Sequence, residues 1–190
     1  VIEADLIEEV ARIQGLDKVP DVMPQAKVVP DADDTPTQAL IACRHNLVGL
    51  GLIEIMNYSF TAKELLDAFG ADEIANRVVL PNPVSSEYSV MRDSLIPQMV
   101  ETLGRNQSRQ VLDAAFFEFG KAYKKESKGS IREEDRLCIG LTGKVGRGAL
   151  DSKRPVSPEE AFLWMKGIVE SLCAAQHVED LRLAAEPKAC

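Results

Sequence analysis

A chain of 190 residues, 45% hydrophobic and 27% charged, has room for one full core and part of a neighbouring unit, and this composition excludes an intrinsically disordered polypeptide. No run is apolar enough for long enough to form a membrane-spanning helix, and the acidic opening VIEADLIEEV is the reverse of a basic targeting peptide, so the expected compartment is the cytoplasm. The formal charge of −8 repels nucleic acid at long range, which predicts weak RNA binding by this segment alone.

Residues 4–14 place Leu6, Ile7, Val10, Ala11 and Ile13 at helical spacing, with Gly15 where a helix stops. Residues 21–36 hold Pro24, Pro30 and Pro36 among Asp31, Asp33 and Asp34. Proline lacks a donor and restrains the residue before it, so this stretch is predicted to be a linker. Thr35 as N-cap and Pro36 in the first turn predict a helix through Leu40 and Leu47 to Gly49 and Gly51. Residues 53–60 alternate Ile53, Ile55, Asn57 and Ser59 against Glu54, Met56, Tyr58 and Phe60, the pattern of one strand. Thr61 with Glu64 predicts a capping box and a short helix to about Phe69, and 78–80 a strand closed by Pro81-Asn82-Pro83.

Pro97 fits the first turn of a helix to about Asn106. Residues 114–123 are predicted to form an aromatic-rich strand with Gly120 as a possible bulge, and 137–141 another strand. Residues 144–155 are rich in Gly, Lys and Arg and are predicted to be a loop. Ser157, Pro158 and Glu160 predict the start of a long helix carrying Phe162, Met165, Ile168, Val169 and Leu172. The chain then ends at Cys190 after a strand-like LRLAA, and it begins at Val1 directly before a helix, which predicts a piece of a longer polypeptide. Helices and closely coupled strands alternate irregularly, so the fold class is α+β, an antiparallel sheet flanked by helices.

Four cysteines (43, 138, 173, 190) without a Cys-x-x-Cys pair, and only two histidines, give a structural zinc site nothing to build on, and reduced thiols are expected. His45 and His177 lack partners at catalytic spacing. Asp5, Glu8 and Glu9 are the sharpest local constellation: on a helix, positions three and four apart share a face and can present carboxylates to a hard cation. Spacing alone equally describes a solvated acidic first turn favoured by the helix dipole. Phe116, Phe117 and Phe119 have apolar neighbours and no basic groove, so they are expected in the sheet core and a subunit contact. The GKVGRG run at 143–148 lacks the Gly-Lys-Ser/Thr ending of a phosphate loop. It is read as solvated loop that could at most touch RNA backbone through Lys144, Arg147, Lys153 and Arg154.

Four stretches, DLIEEVARIQGLDKVP, LIEIMNYSF, NPVSSEYSVMRDSLIPQMVETLGRNQSR leading to FFEFGKAY, and EEAFLWMKGIVESL, resemble in this order the β subunit of bacterial-type phenylalanyl-tRNA synthetase. Gln14 and Leu16 stand where that family usually has aromatic residues, and Asp93 where it usually has threonine. The resemblance implies that residues 1–20 end a small preceding domain, that 21–36 link it onward, and that 37–190 form a class II synthetase-like core lacking its C-terminal part. It implies an α2β2 assembly whose α subunit holds the phenylalanine and ATP site and which charges tRNA(Phe) in the presence of Mg²⁺. On this resemblance Asp5, Glu8 and Glu9 match a shared magnesium site that also needs an upstream ligand. Arg92 and Glu118 then occupy the ends of the second class II motif, where an active synthetase binds ATP phosphate and amino acid or adenine. The lysine-only loop at 121–130 lacks the arginine fork suited to phosphate, so Arg92 and Glu118 are expected to form a structural ion pair or strand-end hydrogen bonds, and no residue is assigned to catalysis. The alternative is a self-sufficient class II ligase or nucleotide-binding paralogue, which requires ATP binding that depends on Arg92.

Overall fold

The computed structural model describes residues 2–27, 35–70, 76–126, 129–144, 156–178 and 180–181. The chain divides into two compact units, Val1–Asp34 and Thr35–Cys190. In the first, helix α1 spans Glu3–Gln14, and Gly15, at φ 94°, ends it by donating its N–H to Ala11 O at 2.9 Å. A 3-10 turn at Leu16–Lys18 follows, and residues 19–27 have no regular structure. The apolar stripe read from the sequence is present but uncovered: Leu6, Ile7, Val10 and Ile13 are all more than half exposed.

The second unit opens with α2, Thr35–Gly49, which includes Thr35 and Pro36 and so starts inside the expected linker. In chain order there follow β1 (Ile53–Glu54), β2 (Phe60–Thr61), α3 (Lys63–Asp67), β3 (Val90–Met91), α4 (Ile96–Ser108), β4 (Ala114–Lys125), β5 (Ile131–Thr142) and α5 (Pro158–Ala175). The main sheet has the order β1-β4-β5. β4 and β5 form a long antiparallel hairpin in unbroken register, from Ala114 opposite Thr142 to Lys125 opposite Ile131. β1 joins β4 in parallel, Ile53 opposite Phe116, so the sheet is antiparallel only on its hairpin side. β2 and β3 make a separate antiparallel pair.

The alternation of β4 divides the core into two layers, because successive strand residues face opposite sides of a sheet. Ala115 and Phe117 pack with Leu47 of α2, Leu52 and Ile168 of α5, flanked by Phe119, Trp164 and Leu172. Ala114 and Phe116 point the other way, onto Met99 of α4, with Ile55, Leu103 and Cys138 at the margin. The expectation that the phenylalanines form sheet core is met: Phe117 is fully buried, Phe116 nearly so, and Phe119 carries the Arg44 guanidinium 5.4 Å from its ring centre. Burying one such ring contributes about 1.5–3 kcal/mol.

Four local expectations are corrected. The strand expected over 53–60 is two short strands, for a reason given below. Thr61 does not cap a helix; it is buried in β2 opposite Val90, and α3 starts after Ala62 without a side-chain cap. Residues 78–80 contribute one isolated bridge, Val79 to Val90, and no full strand. Gly120 is not a bulge, since it pairs with Arg136 in register. The helix starting after Ser157 is as expected: Ser157 Oγ accepts the Glu160 N–H at 3.2 Å. Most of the 144–155 loop and the LRLAA segment lie outside the described residues.

Candidate functional site

The chemistry of the second unit converges on Glu118. Its position on β4 points it at α4, on the same face as Phe116, where the pattern would admit another apolar residue. The carboxylate is completely buried, and Arg92, at the end of β3, is 2% exposed. Arg92 Nη1 donates to Glu118 Oε1 at 2.6 Å and to Gln98 Oε1 at 3.2 Å, while Nε donates to Lys121 O at 2.9 Å. Of the two roles expected from the sequence, the structural ion pair is present, and it sits in a larger network.

Asn57 completes the carboxylate. Its backbone N–H reaches Glu118 Oε1 at 3.2 Å and its Nδ2 donates to Oε2 at 2.8 Å, while Thr102 Oγ1 donates to Asn57 Oδ1 at 3.0 Å. Gln98 Nε2 donates to Tyr58 O at 2.9 Å. This arrangement explains the broken strand. The last ladder bond from β1 is Ile55 N–H to Phe117 O at 2.8 Å; beyond it a side-chain carboxylate takes the place of backbone acceptors. The chain leaves the sheet and re-pairs as β2. Gly120 is needed here for space, because a Cβ would lie 2.1 Å from Arg92 Nη2.

Arg77, which the sequence reading passed over, forms a second buried knot. Its guanidinium bonds Asp67 of α3, Asp93 Oδ2 at 3.3 Å and Gly70 O at 3.2 Å. Burial disfavours the charged form, but hydrogen bonds to Asp67 and Asp93 and their charges outweigh it and raise the Arg77 pKa. Asp93, noted above where threonine is usual, thus has a partner. Nearby, burial first and the Glu118 carboxylate second push the Cys138 thiol up, against the opposing charge of Arg92, so Cys138 stays protonated.

Signals for these residues existed. Asn57 is a polar residue on the stripe of Ile53 and Ile55, and Gln98, Thr102 and Asn106 recur every fourth residue on α4, where Asn106 Nδ2 donates to Thr102 O at 2.8 Å. Beside the network a cleft of 490 Å³ opens between α4 and Tyr58, whose ring meets Tyr88 edge to face at 5.9 Å.

The proposed metal ligands lie in the first unit. Asp5 accepts the Ile2 N–H at 2.8 Å, closing the start of α1, and Glu9 pairs with Arg12. Among the described residues no three His, Cys, Asp or Glu side chains gather to hold a metal. Asp5, Glu8 and Glu9 all lie on α1, and among the described residues they do not gather into a metal-binding group. His45 and His177 are both exposed, and no described helix is long and apolar enough to cross a membrane.

Residues 19–189 match the family described as the phenylalanyl tRNA synthetase beta chain CLM domain. The chain belongs to that family. Similar curated proteins include the phenylalanine–tRNA ligase beta subunits of Geobacter sulfurreducens, 34% identical over 91% of this chain and 22% of that one, and of Bacillus subtilis, 35% identical over 94% and 22%. The chain thus spans about a fifth of their length. In fold, this CLM domain is similar to pyrrolysyl-tRNA synthetase from Desulfitobacterium hafniense, with a TM-score of 0.63 at 16% identity over 97% of this chain and 58% of that one. It is also similar to a histidine–tRNA ligase subunit from Alicyclobacillus acidocaldarius, with a TM-score of 0.54 at 11% identity over 85% and 44%. Both likenesses concern architecture, and they agree with a class II synthetase-like α+β fold.

Proposed function

We propose that this chain is the non-catalytic, synthetase-like core of a phenylalanine–tRNA ligase β subunit, which packs on a catalytic α subunit in an α2β2 assembly and supports placement of tRNA(Phe). The assembly works in the cytoplasm and joins phenylalanine to tRNA(Phe) with ATP and Mg²⁺. The observation that supports the non-catalytic reading is the buried Arg92–Glu118 pair. Adenylate formation depends on cationic donors aimed at phosphate. Here Arg92 Nε and Nη1 are committed to Lys121 O, Gln98 and Glu118, and the Glu118 carboxylate is engaged by Arg92 and Asn57. Neither residue is presented to a ligand.

On this reading Asp5, Glu8 and Glu9 contribute to a magnesium site only with donors from outside the described residues, since Mg²⁺ requires near-octahedral oxygen ligation. The chain alone then gives no saturable Mg²⁺ binding in calorimetry.

The deciding experiment is ATP–pyrophosphate exchange. The chain alone is expected to be inert, and addition of a catalytic α subunit should recover it as a stable partner on size exclusion. Phenylalanine-dependent exchange by the chain alone would overturn the proposal in favour of a self-sufficient ligase.

A further inference from the structure

We draw no further inference here: the strongest candidate, the open cleft between α4 and the Tyr58–Tyr88 ring pair, has Asn57 and Gln98 of its polar lining already bonded into the Glu118 network and Glu101 paired with Arg105, and nothing in the structure shows what covers its exposed rings.

Discussion

Removing Glu118 while keeping Arg92 tests the central network most directly. In Glu118→Leu the guanidinium, whose side chain is 3% exposed, keeps only the neutral acceptors Lys121 O and Gln98 Oε1. Asn57 loses the acceptor of both its backbone N–H and its Nδ2. Breaking a buried pair from one side costs about 3–5 kcal/mol, a large share of the roughly 5–15 kcal/mol that holds a domain folded. At about 2 kcal/mol per molar urea, the unfolding midpoint should fall by about 2 M. The single tryptophan, Trp164, packs against the core cluster and serves as the fluorescence probe. Arg92→Met should cost a similar amount by stranding the carboxylate. The double variant carries no unpaired charge, so it should cost less than either single change, with a coupling of at least about 2 kcal/mol. Additive losses, or an Arg92→Met loss below about 1 kcal/mol, would refute the claim that the two charges form one buried unit. A self-sufficient ligase predicts a different outcome: Arg92→Met would leave the midpoint in place and abolish ATP binding.

Gly120→Ala should destabilise by about 1–3 kcal/mol in the same assay, because the new methyl meets a guanidinium fixed by three bonds; Gly140→Ala should cost less, since the groups it meets are the flexible Met99 and Leu103 side chains. Gln110, just beyond the Arg109 C-cap of α4, stands at φ 68°, so Gln110→Gly should stabilise by about 0.5–1 kcal/mol, the left-handed cost relieved less the added freedom of the unfolded chain, and a loss on thermal melting would contradict this. Glu159 is held below the usual 4.5 by its own backbone N–H and then by Ser157, and Glu134 by Arg136. Both folded pKa values are depressed, so their stabilisation is present above pH 4.5 and is lost as pH falls through the folded values. Urea midpoints measured downward from pH 4.5 should therefore decline, and Ser157→Ala should flatten the decline. Cys138 should resist alkylation at pH 9.0, where an unperturbed thiol is half ionised, while an exposed reference cysteine reacts.

The elements legible in the sequence were those with a signal of their own. α5 announces itself through Ser157-Pro158 and a helical stripe that buries Ile168, and β4 through an aromatic-rich run that is apolar toward both sheet faces. The strand at 53–60 misled because alternation reports which way side chains point, not whether backbone partners exist. The partner there is the carboxylate of a residue 61 positions further on. Thr61 misled for a related reason: its fit to a capping box is local, and pairing with Val90 overrides it. Arg77 was illegible because its acceptors, Asp67, Gly70 and Asp93, come from separate parts of the chain. Of the candidate site, Arg92 and Glu118 were legible because both residues fall within recognisable motif stretches. Asn57, Gln98 and Thr102 carry the network only in three dimensions.

Why a charge stands at 118 at all follows from its position on the α4 face of β4, beside the end of β1. A buried pair adds little stability over well-packed apolar residues, so its stability alone does not account for it. What Glu118 does that leucine cannot is accept two donors from Asn57, ending the parallel ladder after Ile55 and turning the chain toward β2. Arg92 makes the complementary link: its backbone N–H bonds Ser59 O at 3.0 Å, its carbonyl accepts the Tyr123 N–H at 2.9 Å, and its guanidinium reaches Lys121 O. Three segments distant in sequence are thereby fixed to one another by directional bonds, which apolar packing would supply only loosely. The same bonds engage Arg92 Nε and Nη1 and hold the guanidinium in the interior, with its side chain 3% exposed.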